Sequence, residues 1–424
     1  MTNPAAALDA SHAPSSDQAT GFLAWRRGAT VAAGFSAVFA LVVVVVATRH
    51  VAAADSSPLV PRGEWIDLFR IALVTGFATY VLAVVLVCRG EHGLRFLVLT
   101  ATAIQALPLA SPLLLSTDAY TYWAYGRLGA VHGVNPYTSA PSAFPHDPAY
   151  SVMGASWHHT TTLYGPLFTA LSEGVAYLAP TANSAQFAFR VLAALSMVAI
   201  VLLMARSARP ALAIVFVGWN PVFALHFAGG GHNDALMMAF AVGAIATATR
   251  ASWWSAALWV AAISVKWIAV VFLILHALAL AGSERTRLVL RVAVAGLGGV
   301  VLSTMLFGVG WLRAAGGLSG QARRTGSFGA AKWLADAGLH HRMILGSLTF
   351  ALGLSFAYLA YLAVTRSRHN LSAAGTVFAA LQGWLNPWYA LWGGAMIGAE
   401  DAPFLAIPAS IILSAIVLSD AIPR

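Results

Sequence analysis

Charge is scarce in this sequence: Asp, Glu, Lys and Arg make up 9% of 424 residues, against 59% hydrophobic. A soluble domain carries about 25% charged residues, so the balance excludes an ordinary soluble fold. Lysine is almost missing, found at Lys266 and Lys332 alone. Cysteine is reduced to Cys88, which excludes an internal disulfide. Alternating apolar segments of ~10 residues are absent, which argues against a β-barrel. No cleavable signal peptide, solenoid period or transporter-like repeat is evident.

What the chain has instead is a series of apolar runs of ~20 residues, matching a hydrocarbon core of ~30 Å. Backbone in lipid must satisfy its own hydrogen bonds, so these runs read as helices. The expectation is an all-α polytopic membrane protein with about 11–13 membrane segments, some short or re-entrant. Spans are expected at 29–48, 66–88, 95–115, 187–205, 210–228, 235–250, 288–310, 343–364 and 403–420. Residues 1–28 read as a disordered cytoplasmic tail and 29–424 as one transmembrane domain. The net charge of +9 is nearly all arginine and sits in short links between apolar runs. That placement fits topology control by the positive-inside rule better than nucleic-acid binding. It puts 49–65, 116–163, 229–234 and 311–342 on the outer side.

Three stretches resist a simple span. Residues 164–180 are expected to dip in and return or to lie along the interface, since a full crossing would misplace Arg206 and Arg209. Residues 252–281 exceed one upright helix, and two short helices meeting near Lys266 resolve this. Pro387 should break the apolar stretch 371–398.

Ser116–Arg127 places Asp118 and four aromatics where the run 95–115 leaves the membrane. On a helix starting there, Asp118, Tyr122 and Tyr125 share a face and Arg127 lies on another. Asp118 can cap that helix, with the aromatics as an interfacial belt, or act as general base toward a sugar hydroxyl. Asn135-Pro136-Tyr137 and Tyr164-Gly165-Pro166 punctuate the long loop 116–163. The His146-Asp147 and His158-His159 pairs match no standard ligand spacing, so sugar hydrogen bonding or loop packing fits better than metal.

Gly229-Gly230-Gly231-His232-Asn233-Asp234 joins two spans. Asn233 or Asp234 should cap the next helix, whose N-terminus can also receive an anion. Lys266 within an apolar run either snorkels or meets a lipid phosphate. Arg313, Arg323, Arg324, Lys332 and Arg342 cluster in 311–342, facing either headgroups or phosphate. Gln382–Tyr389, with Trp384, Trp388 and Tyr389, lines a pocket or belts the interface.

Together these motifs resemble a known family. Asp118-Ala119-Tyr120-Thr121-Tyr122 with Tyr125-Gly126-Arg127, Asn135-Pro136-Tyr137, Tyr164-Gly165-Pro166-Leu167, Asn220-Pro221, Gly230–Met237, Val265-Lys266 and Pro387-Trp388-Tyr389 occur in matching order. They resemble the polyprenol-phosphate-mannose-dependent α-1,6-mannosyltransferases of actinobacteria, in the GT-C superfamily. The resemblance covers about 95–395, with the first two spans as an added hairpin. It implies a GT-C fold in the plasma membrane with its active site on the outer face. The implied donor is polyprenyl-phosphate mannose, and the acceptor a cell-envelope mannan or lipoglycan. Transfer would invert the anomeric centre, with Asp118 as base and no cofactor or divalent metal required.

Tyr122, Tyr125, Arg127, Tyr137, His158, His159, Tyr164, His232, Asn233, Asp234, Trp384, Trp388 and Tyr389 are the candidate substrate contacts. Lys266, Arg323 and Arg324 are the candidates for the donor phosphate. An arabinofuranosyl transferase with a similar lipid donor, or a non-catalytic lipid or solute transporter, are the competing functions.

Overall fold

The structure, a computed structural model, describes residues 16–50, 64–88, 92–248, 253–314, 326, 329–400 and 405–421. These residues form helices and no strand. Five helices are long and apolar enough to cross a membrane, or six if one bent pair counts as a single span. The protein is therefore an all-α polytopic membrane protein, with further short apolar helices packed among the long ones.

The first helix, Ser16–Arg49, starts earlier than expected, so 16–28 is helical rather than a disordered tail. Arg26 is buried and donates to the Val85 and Leu86 carbonyls of Glu64–Val87, tying the first two helices together. The run 95–115 is shorter than expected. Its α-helix ends at Ala106 and a 3-10 turn at Ala110, since Pro108 and Pro112 remove donors and disfavour α geometry before them. Residues 111–117 then lead without regular helix into the helix Asp118–Ala130.

The irregular segments lie mostly where the sequence places them. Helices Trp253–Val265 and Ala269–Ala279 meet at a break around Lys266. Helices Leu371–Leu381 and Ala390–Ala399 flank a break containing Pro387. In 164–180 one 13-residue helix, Pro166–Leu178, runs without returning, which removes the dip-and-return alternative and not the interfacial one, and the next helix begins at Ala182. The expected span 210–228 is two pieces bent by 50° at Asn220-Pro221, where Asn220 caps the second piece.

The Asp118–Ala130 helix is held by a close crossing. A Cβ added at Gly126 would lie 2.0 Å from the Ser172 carbonyl oxygen of the Pro166–Leu178 helix. Backbone cannot yield as a flexible side chain would. Gly126→Ala is expected to destabilise the fold by about 1–3 kcal/mol or more, read as a lower unfolding midpoint of the detergent-solubilised protein.

Candidate active site

A cavity of about 720 Å³ opens between the two helix breaks and the start of the Asp118 helix. Its lining includes the polar and aromatic residues Asp118, Tyr125, Trp157, Tyr164, Lys266, Trp384, Asn386, Trp388 and Tyr389. The apolar side chains of Val270, Val271, Leu345, Leu348, Leu352 and Phe378 line it as well. Those six come from the helices Ala269–Ala279, His341–Arg366 and Leu371–Leu381.

Asp118 is the first residue of its helix, after Thr117 at the N-cap, and no side chain caps that end. Its backbone N–H is taken by Ser116 Oγ at 3.1 Å. Its carboxylate, 21% exposed, instead faces His232, whose Nδ1 lies 3.3 Å from Oδ2. Three residues earlier, Leu115 has φ of 61°, a left-handed conformation that costs a branched residue about 1–3 kcal/mol. It is pinned on one side by Leu114, whose N–H donates to the Gly229 carbonyl at 3.0 Å.

The Gly-rich run does not cap its helix as expected. Both polar side-chain atoms of Asn233 are buried without a partner. Both carboxylate oxygens of Asp234 are spent elsewhere: Lys266 Nζ donates to them at 2.9 and 2.8 Å, and Trp392 Nε1 donates at 2.6 Å. Asp234 is fully buried, while Lys266 is 20% exposed and lines the cavity. The same ammonium lies 5.0 Å from the Tyr389 ring centroid and 5.6 Å from that of Trp392. Gly231, at φ +78°, turns the chain so that His232 stacks on Trp388 with centroids 3.5 Å apart.

Of the candidate contacts, Tyr125, Tyr164, Trp384, Trp388 and Tyr389 line the cavity with Asp118 and Lys266. His232, Asn233 and Asp234 lie directly behind that wall, fully or almost fully buried. Tyr122 points inward, packed edge-on against Tyr164, Phe168 and Phe189. Tyr137 is buried as well, donating to the Tyr164 carbonyl and sharing a hydrogen bond with Thr169, both at 2.9 Å. His158 stacks on Tyr150 and bonds its carbonyl, and His159 is exposed away from the cavity lining. Arg323 and Arg324 lie outside the described residues. Of the other loop cations, Arg313 and Arg342 are exposed, and Lys332 pairs with Asp336. No group of three or more metal-ligating side chains occurs among the described residues.

Arg190 is a residue that sequence reasoning missed. It is 1% exposed, and its guanidinium donates to the carbonyls of Ala228 at 2.8 Å and Ser111 at 2.9 Å, and to that of Pro108. It thereby staples the segment leading to Asp118 onto the segment leading to His232. The one available signal was a lone arginine inside an apolar helix, Ala182–Met204.

Arg127 braces the loop rather than the cavity. Its Nε donates to Asp147 at 2.8 and 2.9 Å, and His132 Nε2 lies 2.7 Å from the same carboxylate. Burial raises the Asp147 carboxyl, but the Arg127, Ala149 N–H and His132 hydrogen bonds outweigh it and hold the group below its ordinary range. A depressed carboxyl stabilises the fold above its unfolded pKa and loses that contribution as pH falls through the folded value. Asp147→Asn should therefore lower the unfolding midpoint near neutral pH, and the gap to wild type should close below about pH 4 in a pH series of thermal melts.

Residues 27–282, more than half of the chain, match the family model described as alpha-(1->6)-mannopyranosyltransferase, N-terminal domain. An alpha-(1->6)-mannopyranosyltransferase A of Corynebacterium glutamicum is 28% identical over 141 residues, 32% of this chain and 28% of the relative. An alpha-(1->6)-mannopyranosyltransferase of Mycobacterium tuberculosis is 30% identical over 151 residues, 34% of this chain and 25% of the relative. A probable alpha-(1->6)-mannopyranosyltransferase of Mycolicibacterium smegmatis is 32% identical over 139 residues, 31% of this chain and 24% of the relative. The chain thus matches about a quarter of the length of these curated relatives. No solved structure matches.

Proposed function

The chain belongs to the alpha-(1->6)-mannopyranosyltransferase family, and from that premise we propose that it transfers mannose from polyprenyl-phosphate mannose to a mannan or lipoglycan acceptor. The observation that carries this reading is a single cavity lined both by Asp118 and Lys266 and by apolar side chains of three helices. A sugar and phosphate suit the surroundings of Asp118 and Lys266, and a polyprenyl chain suits the apolar side chains that the three helices add to the lining. Carbohydrate rings pack on aromatic faces, and Trp384, Trp388 and Tyr389 are in the lining.

Asp118 acts as the base. The acceptor hydroxyl gives its proton to the carboxylate as its oxygen bonds to the anomeric carbon. The bond from that carbon to the phosphate oxygen breaks, and the phosphate leaves with the electron pair. Attack opposite the leaving group inverts the centre, so a β-linked donor gives an α-1,6 product. A lipid phosphate is already a stable anion, so no general acid is needed; a positive group that steadies its charge matters more. Lys266 fills that role, since two of its hydrogen bonds go to Asp234 while the ammonium still borders the cavity. We place the protein in the plasma membrane with this site on the outer face, where a cell-envelope acceptor is available and where the arginine distribution puts the 116–163 loop.

Membranes given labelled polyprenyl-phosphate mannose and a mannan acceptor should release free polyprenyl phosphate in step with mannan labelling. Asp118→Asn should slow that release by about 10²–10⁴-fold while the protein still inserts. Near-normal transfer by this variant would remove Asp118 from the base role, and mannose movement without polyprenyl phosphate release would indicate a transporter.

A further inference from the structure

Among the described residues, several side chains near the Gly-rich run bury polar atoms without hydrogen-bond partners. His226, His232 and Asn233 each have both polar side-chain atoms buried and unpaired. His232 and Asn233 lie on the Gly-rich connection behind Asp118, and His226 on the helical turn just before it. Such groups are rare in native proteins, and each calls for an explanation in function or solvent. His232 is the one that touches the site.

We propose that His232 is the positioning residue for Asp118, donating from Nδ1 to Oδ2 and leaving the other carboxylate oxygen to meet the acceptor hydroxyl. The inference rests on the transferase reading above. His232 is 0% exposed, and its Nδ1 lies 3.3 Å from Asp118 Oδ2. That contact is longer than an aligned hydrogen bond, as catalytic contacts often are before substrate tightens them.

The ring has little freedom to turn away. Trp388 stacks on it with an interplanar angle of 17°. On the Gly230 side a single added Cβ would lie 3.2 Å from Nε2 and Cδ2. With no other partner for Nδ1, Asp118 is the group it serves. During transfer His232 keeps its own proton, the acceptor proton goes to the free oxygen of Asp118, and the phosphate leaves with the electron pair.

Asp118 is also in electrostatic reach of Tyr122, Tyr164, Lys266 and Tyr389, with Asp234 close behind. A hydrogen bond donated to a carboxylate favours its ionised form.

The test follows Asp118 itself. A hydrophobic carbodiimide reacts with protonated carboxyls. Its adduct on the Asp118 peptide is measured by mass spectrometry across a pH series in the full-length protein. His232→Phe keeps a ring against Trp388 but loses the donor, and its labelling midpoint should rise by about one pH unit. His232→Asn retains an N–H and should stay near wild type. Equal midpoints in wild type and H232F overturn the proposal, as does an H232N shift as large as that of H232F. Should H232F fail to fold, His232→Met takes its place under the same criteria.

In the transfer assay H232F should lower kcat at least tenfold with donor KM within twofold. A raised donor KM at unchanged kcat would make His232 a donor contact and overturn the proposal. Labelling needs no turnover, so an inactive wild type would sink the transferase reading while the midpoints still decide the role of His232.

Discussion

A lysine and an aspartate buried side by side set the arrangement around the cavity. Asp234 is fully buried, and taking a carboxylate out of water costs several kcal/mol unless its oxygens are satisfied. Lys266 and Trp392 satisfy them from two other helical segments. The helix beginning at Asp234, the break at Lys266 and the helix carrying Trp392 are thereby locked at one point. The break is useful as well as tolerated. A continuous helix through Lys266 would present the ammonium at one fixed angle, whereas the open turn lets it meet Asp234, two aromatic faces and the cavity together.

Much of this was legible in the sequence because it depends on local cues. Lys266 in an apolar run and Pro387 in another marked both breaks, and Asp118 after an apolar run marked a helix start. What failed were inferences about direction. Helical spacing put Asp118, Tyr122 and Tyr125 on one face, yet Tyr125 reaches the cavity while Tyr122 sinks into an aromatic cluster. At ~3.6 residues per turn, the seventh residue on falls about 20° from Asp118 and the fourth about 40° on the other side. Periodicity cannot say where a pocket's edge falls within that spread.

Capping rules failed for a related reason. Asn233 and Asp234 are the right residue types for an N-cap, but a local rule does not weigh a competing cation 32 residues away. Tertiary electrostatics prevailed for Asp234, and the burial of Asn233 left it unpaired. The family match ends at residue 282, so the His341–Arg366 helix and the Trp384–Tyr389 break fall beyond it. The cavity is thus completed by a part of the chain that lies outside the matched domain.

Among the described residues, no acidic side chain pairs with Arg190. Apart from Gln186 and the Ser111 hydroxyl, its partners are main-chain carbonyls, 38 to 82 residues away in sequence. Every residue type carries a carbonyl, so the staple survives side-chain changes at Pro108 and Ala228 provided the backbone path is kept. A search for residue pairs that change together through evolution would pass over this contact. The side chain binding the two halves of the site leaves no trace of its partners in their identities.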